Sequence, residues 1–112
     1  MAFIKIGSVR AFPNASQTKA QALKALEEAS EVVDAFKRAE RCRELLGVDD
    51  CLNECARDPV DAECPLCEML DESADCITAI SNLAAAHGVT DLTPYIARCE
   101  ERNRRRGRYD AL

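Results

Sequence analysis

A chain of 112 residues, 47% hydrophobic and 31% charged, has the length of one compact domain and the composition of a globular one. With no Trp, four Gly and four Pro, it lacks the turn-forming residues that a many-stranded sheet requires, and the expected class is all-α. The net charge of -5 and the odd count of seven Cys, with no secretory pattern in Met1–Arg10 and no apolar run of bilayer length, predict a cytoplasmic, soluble chain without a full disulfide framework.

Met1–Ala15 reads as an extended entry segment ending at Pro13 and Asn14, with Asn14 or Ser16 as the cap of a first helix from about Ser16 to Leu46. Gly47 supplies its stop, and Asp34 with Arg38 forms an i,i+4 pair on its surface. Residues 47–67 differ in character: six acids, two prolines and four cysteines mark an inserted acidic, Cys-rich loop, with a short helix near Cys51–Ala56. A second helix is expected from about Glu68 to His87, ended by Gly88. Thr93 and Pro94 then open a third, about Pro94–Arg106. The whole of 1–112 reads as one domain.

At 100° per residue, Leu23, Leu26, Ala29 and Val33 share one arc of the first helix, and Val32, Ala35 and Phe36 cover much of another. A helix apolar on more than one side is expected to be largely buried, which places Glu27, Glu28 and Glu31, lying between the arcs, close to the interior. In the second helix Glu72 and Asp75 are neighbours on one face, which continues through Ala79, Asn82 and Ala86. Those small residues are expected to leave room for a ligand, while Leu70, Cys76, Ile77, Ile80 and Leu83 form the core side. Clustered carboxylates are unfavourable without a cation. Magnesium suits them, because it takes oxygen ligands and recruits substrate phosphates.

Glu27-Glu28-Ala29-Ser30-Glu31 followed by Glu72-Ser73-Ala74-Asp75 resembles the E-E-x-x-E … E-x-x-D signature of the MazG-like, all-α nucleoside triphosphate pyrophosphohydrolases. The tail Glu101-Arg102-Asn103-Arg104-Arg105-Arg106-Gly107 is similar to that family's closing helix. The 40 residues between Glu31 and Glu72 exceed the family's usual spacer, and the 47–67 insertion accounts for the difference. The resemblance implies a helical bundle with two metal-binding helices, completed by homo-oligomerisation as a dimer or tetramer. It implies magnesium, with manganese as second choice, on Glu28, Glu31, Glu72 and Asp75, and Glu27 as an accessory catalytic acid orienting water. Asn103, Arg105 and Arg106, with Lys24 and then Lys19 behind them, would hold the polyphosphate of a nucleoside triphosphate cleaved to monophosphate and pyrophosphate. Phosphoribosyl-ATP is the alternative substrate within the same superfamily.

Cys51, Cys55, Cys64 and Cys67 could hold a structural zinc, but the first pair is spaced for a helix face and not for a zinc knuckle; thiols in a loop or small packed hydrophobes are preferred. Cys42, Cys76 and Cys99 read as core or near-core helix residues, and His87 as a structural group at a helix C-terminus. Two non-enzymatic readings compete: a zinc-stabilised adaptor, and a helical interaction module whose arginine tail contacts nucleic acid. The acidic body and the lack of interleaved aromatics weigh against nucleic acid as a partner.

Overall fold

The computed structural model of the chain describes residues 3–46 and 65–110, and the regular elements among these are three helices. α1 spans Lys19–Leu46, α2 spans Pro65–Ala86 and α3 spans Thr93–Arg105. The all-α expectation holds, and each shift of a boundary has a local cause. α1 starts after Thr18, whose Oγ1 accepts the Gln21 N–H at 3.2 Å, while Gln21 Oε1 reaches back to the Ser16 N–H at 3.4 Å. This reciprocal capping arrangement makes Thr18 the cap in place of Asn14 or Ser16.

α2 begins on Pro65, ahead of the expected Glu68. A proline suits a first turn because its missing N–H has no partner there anyway. Cys67 therefore belongs to the helix and not to the insertion. Gly47, the short helix expected near Cys51–Ala56, and Cys51, Cys55 and Cys64 of the zinc set lie outside the described residues. α3 begins on Thr93 itself, with Leu92 at the N-cap position in place of Thr93, and Asp91 Oδ1 accepts the Thr93 N–H at 2.9 Å from just outside the helix. Hydrogen bonding from Thr93 holds the Asp91 carboxyl below the usual carboxylate range. Pro94 occupies the first turn as expected.

α1 and α2 pack as an antiparallel hairpin. Gln17 Nε2 donates to Ala86 O at 2.9 Å, Cys76 Sγ approaches Ala25 O at 3.9 Å, and Arg38 Nη2 donates to Glu68 Oε1. Positions thus rise along α1 as they fall along α2. The expected Asp34–Arg38 pair gives way to this cross-helix pair, since Glu68 stands across from Arg38.

Among the described residues, Ala35, Ala79 and Asn82 are buried. Ala79 and Asn82, expected to line an open binding face, belong instead to the packed side of α2, where small side chains allow close approach. Asn82 Oδ1 also accepts the Phe12 N–H at 2.8 Å, which fastens the extended entry segment to the hairpin. The expected core side fares less well: Leu70 and Ile80 are both 47% exposed, and Cys99 is exposed on α3.

The expectation that α1 is largely buried fails within one chain. Leu23, Leu26, Val33 and Phe36 are all exposed, Leu26 at 68%. A hairpin offers α1 only one partner, so the arc holding Ala35 is covered and the arc holding Leu26 and Val33 is not. α3 packs against neither α1 nor α2. The radius of gyration, 16.6 Å, exceeds the about 13 Å of a compact chain of this length.

Two helix ends share one stop. After α2, Gly88 N–H bonds Ala85 O at 2.9 Å and Val89 N–H bonds Ala84 O at 3.1 Å; after α3, Gly107 N–H bonds Arg104 O and Arg108 N–H bonds Asn103 O, both at 3.0 Å. Both are Schellman motifs, and both glycines have the positive φ the motif requires, 79° and 71°. A Cβ at Gly88 meets nothing within 4 Å, so only backbone strain opposes a side chain there. Gly88→Ala should therefore lower unfolding stability by about 1 kcal/mol, read as a shift in urea midpoint at constant m-value.

Candidate metal centre

Helix geometry brings acids from both arms of the hairpin together. On α1, Glu28 and Glu31 are one turn apart and flank the buried Ala35 on the side that faces α2. On α2, Glu72 lies on the same side as buried Ala79, two turns further along. The antiparallel register set by Ala25–Cys76 and Arg38–Glu68 then places Glu72 opposite Glu28 and Glu31. One carboxylate oxygen of each of the three lies within 4.8 Å of the others. Glu28 and Glu72 are half-buried and Glu31 is exposed.

The electrostatics of this cluster are unfavourable as it stands. Glu72 Oε2 is buried and has no hydrogen-bond partner. The Glu72 carboxyl is held above the usual range, first by a proton shared with Glu31, then by burial, and then by the negative charges of Glu31, Asp75 and Glu28. An acceptor-only oxygen, desolvated and facing other carboxylates, fits a hard cation that binds oxygen. The donor set, three glutamates with no nitrogen or sulfur among them, suits magnesium or manganese better than zinc.

Each sequence-selected residue can now be placed. Glu28, Glu31 and Glu72 form the cluster. Asp75 is exposed and stands outside the three, near enough to push up Glu72. Glu27, expected to orient water, is exposed and paired with Lys24 at 3.0 Å. That pairing, with the further pull of Glu28 and Glu31, raises the Lys24 ammonium above its ordinary value. Lys24 therefore sits on the rim of the acid cluster, already engaged. Lys19 is exposed at the first position of α1.

The tail residues are elsewhere. Because α3 packs on neither arm of the hairpin, one chain does not bring Asn103, Arg105 and Arg106 against the acids. Asn103 Nδ2 points back to Cys99 Sγ at 3.6 Å, and Arg105 Nε binds Glu101 at 3.2 Å. His87 caps the end of α2 and is exposed, consistent with a structural place.

A hollow of about 580 Å³ lies on the other side of α2, lined by Ile77, Ser81 and Ala84, by residues 6–11 of the entry segment, and by the turn into α3. Ile77, Ser81 and Ala84 are roughly opposite Glu72 around the helix, so the hollow and the acids are separate features. Sequence reasoning missed Asn82 as the clamp on Phe12. An Asn in line with Glu72 and Ala79 could have signalled a buried hydrogen bond, because a polar side chain on a packed face needs a partner.

No family model matches the chain, nor does any curated protein or solved structure.

The proton on Glu72 gives the metal-free chain a testable pH signature. A raised folded value means that the stability tied to this proton is complete below the ordinary glutamate range and is lost as pH rises through the raised value. Glu72→Gln should therefore raise the melting temperature of metal-free protein at neutral pH and flatten its dependence on pH between acid and neutral. Thermal melts in chelator check this; an unchanged or lower melting temperature at neutral pH would show that Glu72 is not strained by its neighbours.

Proposed function

We propose that the chain is a magnesium-dependent nucleotide pyrophosphohydrolase, cleaving a nucleoside triphosphate to monophosphate and pyrophosphate. The observation that carries the reading is the convergence of Glu28, Glu31 and Glu72 from two helices, with a buried Glu72 oxygen left unpartnered. The three residues would hold the ion, and Asp75, one turn further along α2, would be the fourth oxygen ligand. Magnesium in such a place neutralises phosphate charge and makes a bound water a better nucleophile. The chain's own contribution is positional. Glu28 and Glu31 are fixed by the helix, and Glu72 by the hairpin register. Glu27 would accept a proton from water if Lys24, now its ion-pair partner, turned to a phosphate.

The exposed arc of Leu23, Leu26, Val33 and Phe36 supports a homo-oligomer in which a second copy covers α1. Phosphate-binding cations from that copy would answer the separation between the acids and α3 within one chain. The reading places the protein in the cytoplasm, where its cysteines stay reduced.

The test is pyrophosphate release from a panel of ribo- and deoxynucleoside triphosphates and phosphoribosyl-ATP, with magnesium and with chelator. Magnesium-dependent release with at least one substrate is expected, and Glu28→Gln or Glu72→Gln should reduce it by about 100-fold or more, since both remove a ligand. Calcium should bind and support turnover poorly, because its coordination is larger and looser. Silence of folded protein across the whole panel overturns the proposal. Separately, sedimentation at micromolar protein should give a dimer or tetramer, and Leu26→Lys should shift it toward monomer; a monomeric wild-type chain removes the oligomer.

A further inference from the structure

α3 carries four arginines against two acids, with Arg106 and Arg108 just after it, and it packs on neither arm of the acidic hairpin. Two of its arginines, Arg104 and Arg105, share the single carboxylate of Glu101. Arg98, Arg102 and Arg106 are exposed, and among the described residues no acid forms an ion pair with them. They follow one another at i, i+4 and i+8, and the Arg106 N–H bonds Arg102 O at 3.2 Å, which keeps Arg106 in helical register. The three guanidinium groups thus start from one side of the helix at intervals of about 6 Å, over about 12 Å in all.

Like charges at i,i+4 destabilise a helix, so an uncompensated row of three works against the element that carries it. A polyanion whose charges are spread along a line relieves the whole row. A single triphosphate does not fit that description, since its charge is gathered within two anhydride links. A nucleic-acid strand does, carrying one phosphate per nucleotide. At the head of the row Tyr95 is 54% exposed, with the Arg98 guanidinium 6.0 Å from its ring centre. An exposed ring beside a cationic track is the arrangement on which unpaired bases stack.

We propose that α3 is a binding track for single-stranded nucleic acid, with Arg98, Arg102 and Arg106 on successive backbone phosphates and Tyr95 stacking on a base. The net charge of the chain opposes this only as an average. On α3 the acids Glu100 and Glu101 are half-buried and the arginine row is not. The track uses none of the acid cluster, so it stands whether or not the hydrolase reading holds.

The experiment is fluorescence anisotropy of a labelled oligothymidylate with the full chain, titrated over a range of salt. Binding that weakens with salt is expected. Arg98→Gln with Arg102→Gln should weaken it and make the slope of log affinity against log salt shallower by about 1.4, the loss of two single-strand phosphate contacts. Arg98→Lys with Arg102→Lys should keep most of the slope, and Tyr95→Leu should weaken binding without changing it. Far-UV circular dichroism checks that each variant keeps its helices. Absence of binding at low salt overturns the proposal. So does an unaltered slope in the double Gln variant, tighter binding to duplex than to single strand, or competition by inorganic triphosphate as effective as by unlabelled oligonucleotide.

Discussion

The pairing of α1 with α2 is the constraint on which everything else depends. It rests on small residues: Ala35 and Ala79 are buried where larger side chains would hold the helices apart. Close approach is what carries Glu72 to Glu28 and Glu31, and it is also what strips water from the Glu72 oxygen. Packing and charge therefore oppose each other at one place. The alanines draw the arms together, and the acids between them resist unless a proton or a cation intervenes. In a protein whose stability is a small difference of large terms, such a conflict persists where function requires it.

The hairpin also explains why so little of the chain is buried. Its sequence supplies apolar residues on two sides of α1, and the single chain satisfies one. The α2 side is similar, with Leu70 and Ile80 still half-exposed beyond the packed alanine face. The entry segment covers part of the remainder through the Phe12–Asn82 bond. α3 packs on neither arm and reaches α2 only across the hollow, through Thr93 and Ile96.

Some of this was legible in the sequence and some was not, for physical reasons that differ by residue. Helix class and order followed from periodicity and from the stop at Gly88, because those signals are local. That Glu28 and Glu31 share a face could be read from spacing alone, since they are one turn apart on any helix. That Asp75 stands aside from them depends on the crossing of two helices, which spacing on one helix cannot express. Ala79 and Asn82 were misread for a related reason: a small residue either leaves space or lets a neighbour fill it, and the sequence does not name the neighbour. Arg38 chose Glu68 over Asp34 on the same ground. The starts of two helices were missed where the signal was present but a stronger-looking one stood nearby, as with Thr18 behind Ser16 and Pro65 before Glu68.

The Arg38–Glu68 contact ties α1, two turns before its end at Leu46, to the first turn of α2. Being exposed, it adds little to stability. The entropy of closing a connection grows only logarithmically, by about 0.6 kcal/mol for each doubling of its length. The long spacer between the two acid motifs is thus thermodynamically cheap, and its length and composition are free to drift while the register beneath it stays put. Changes of length between the two acid motifs are therefore absorbed at little cost to the helices that hold the acids.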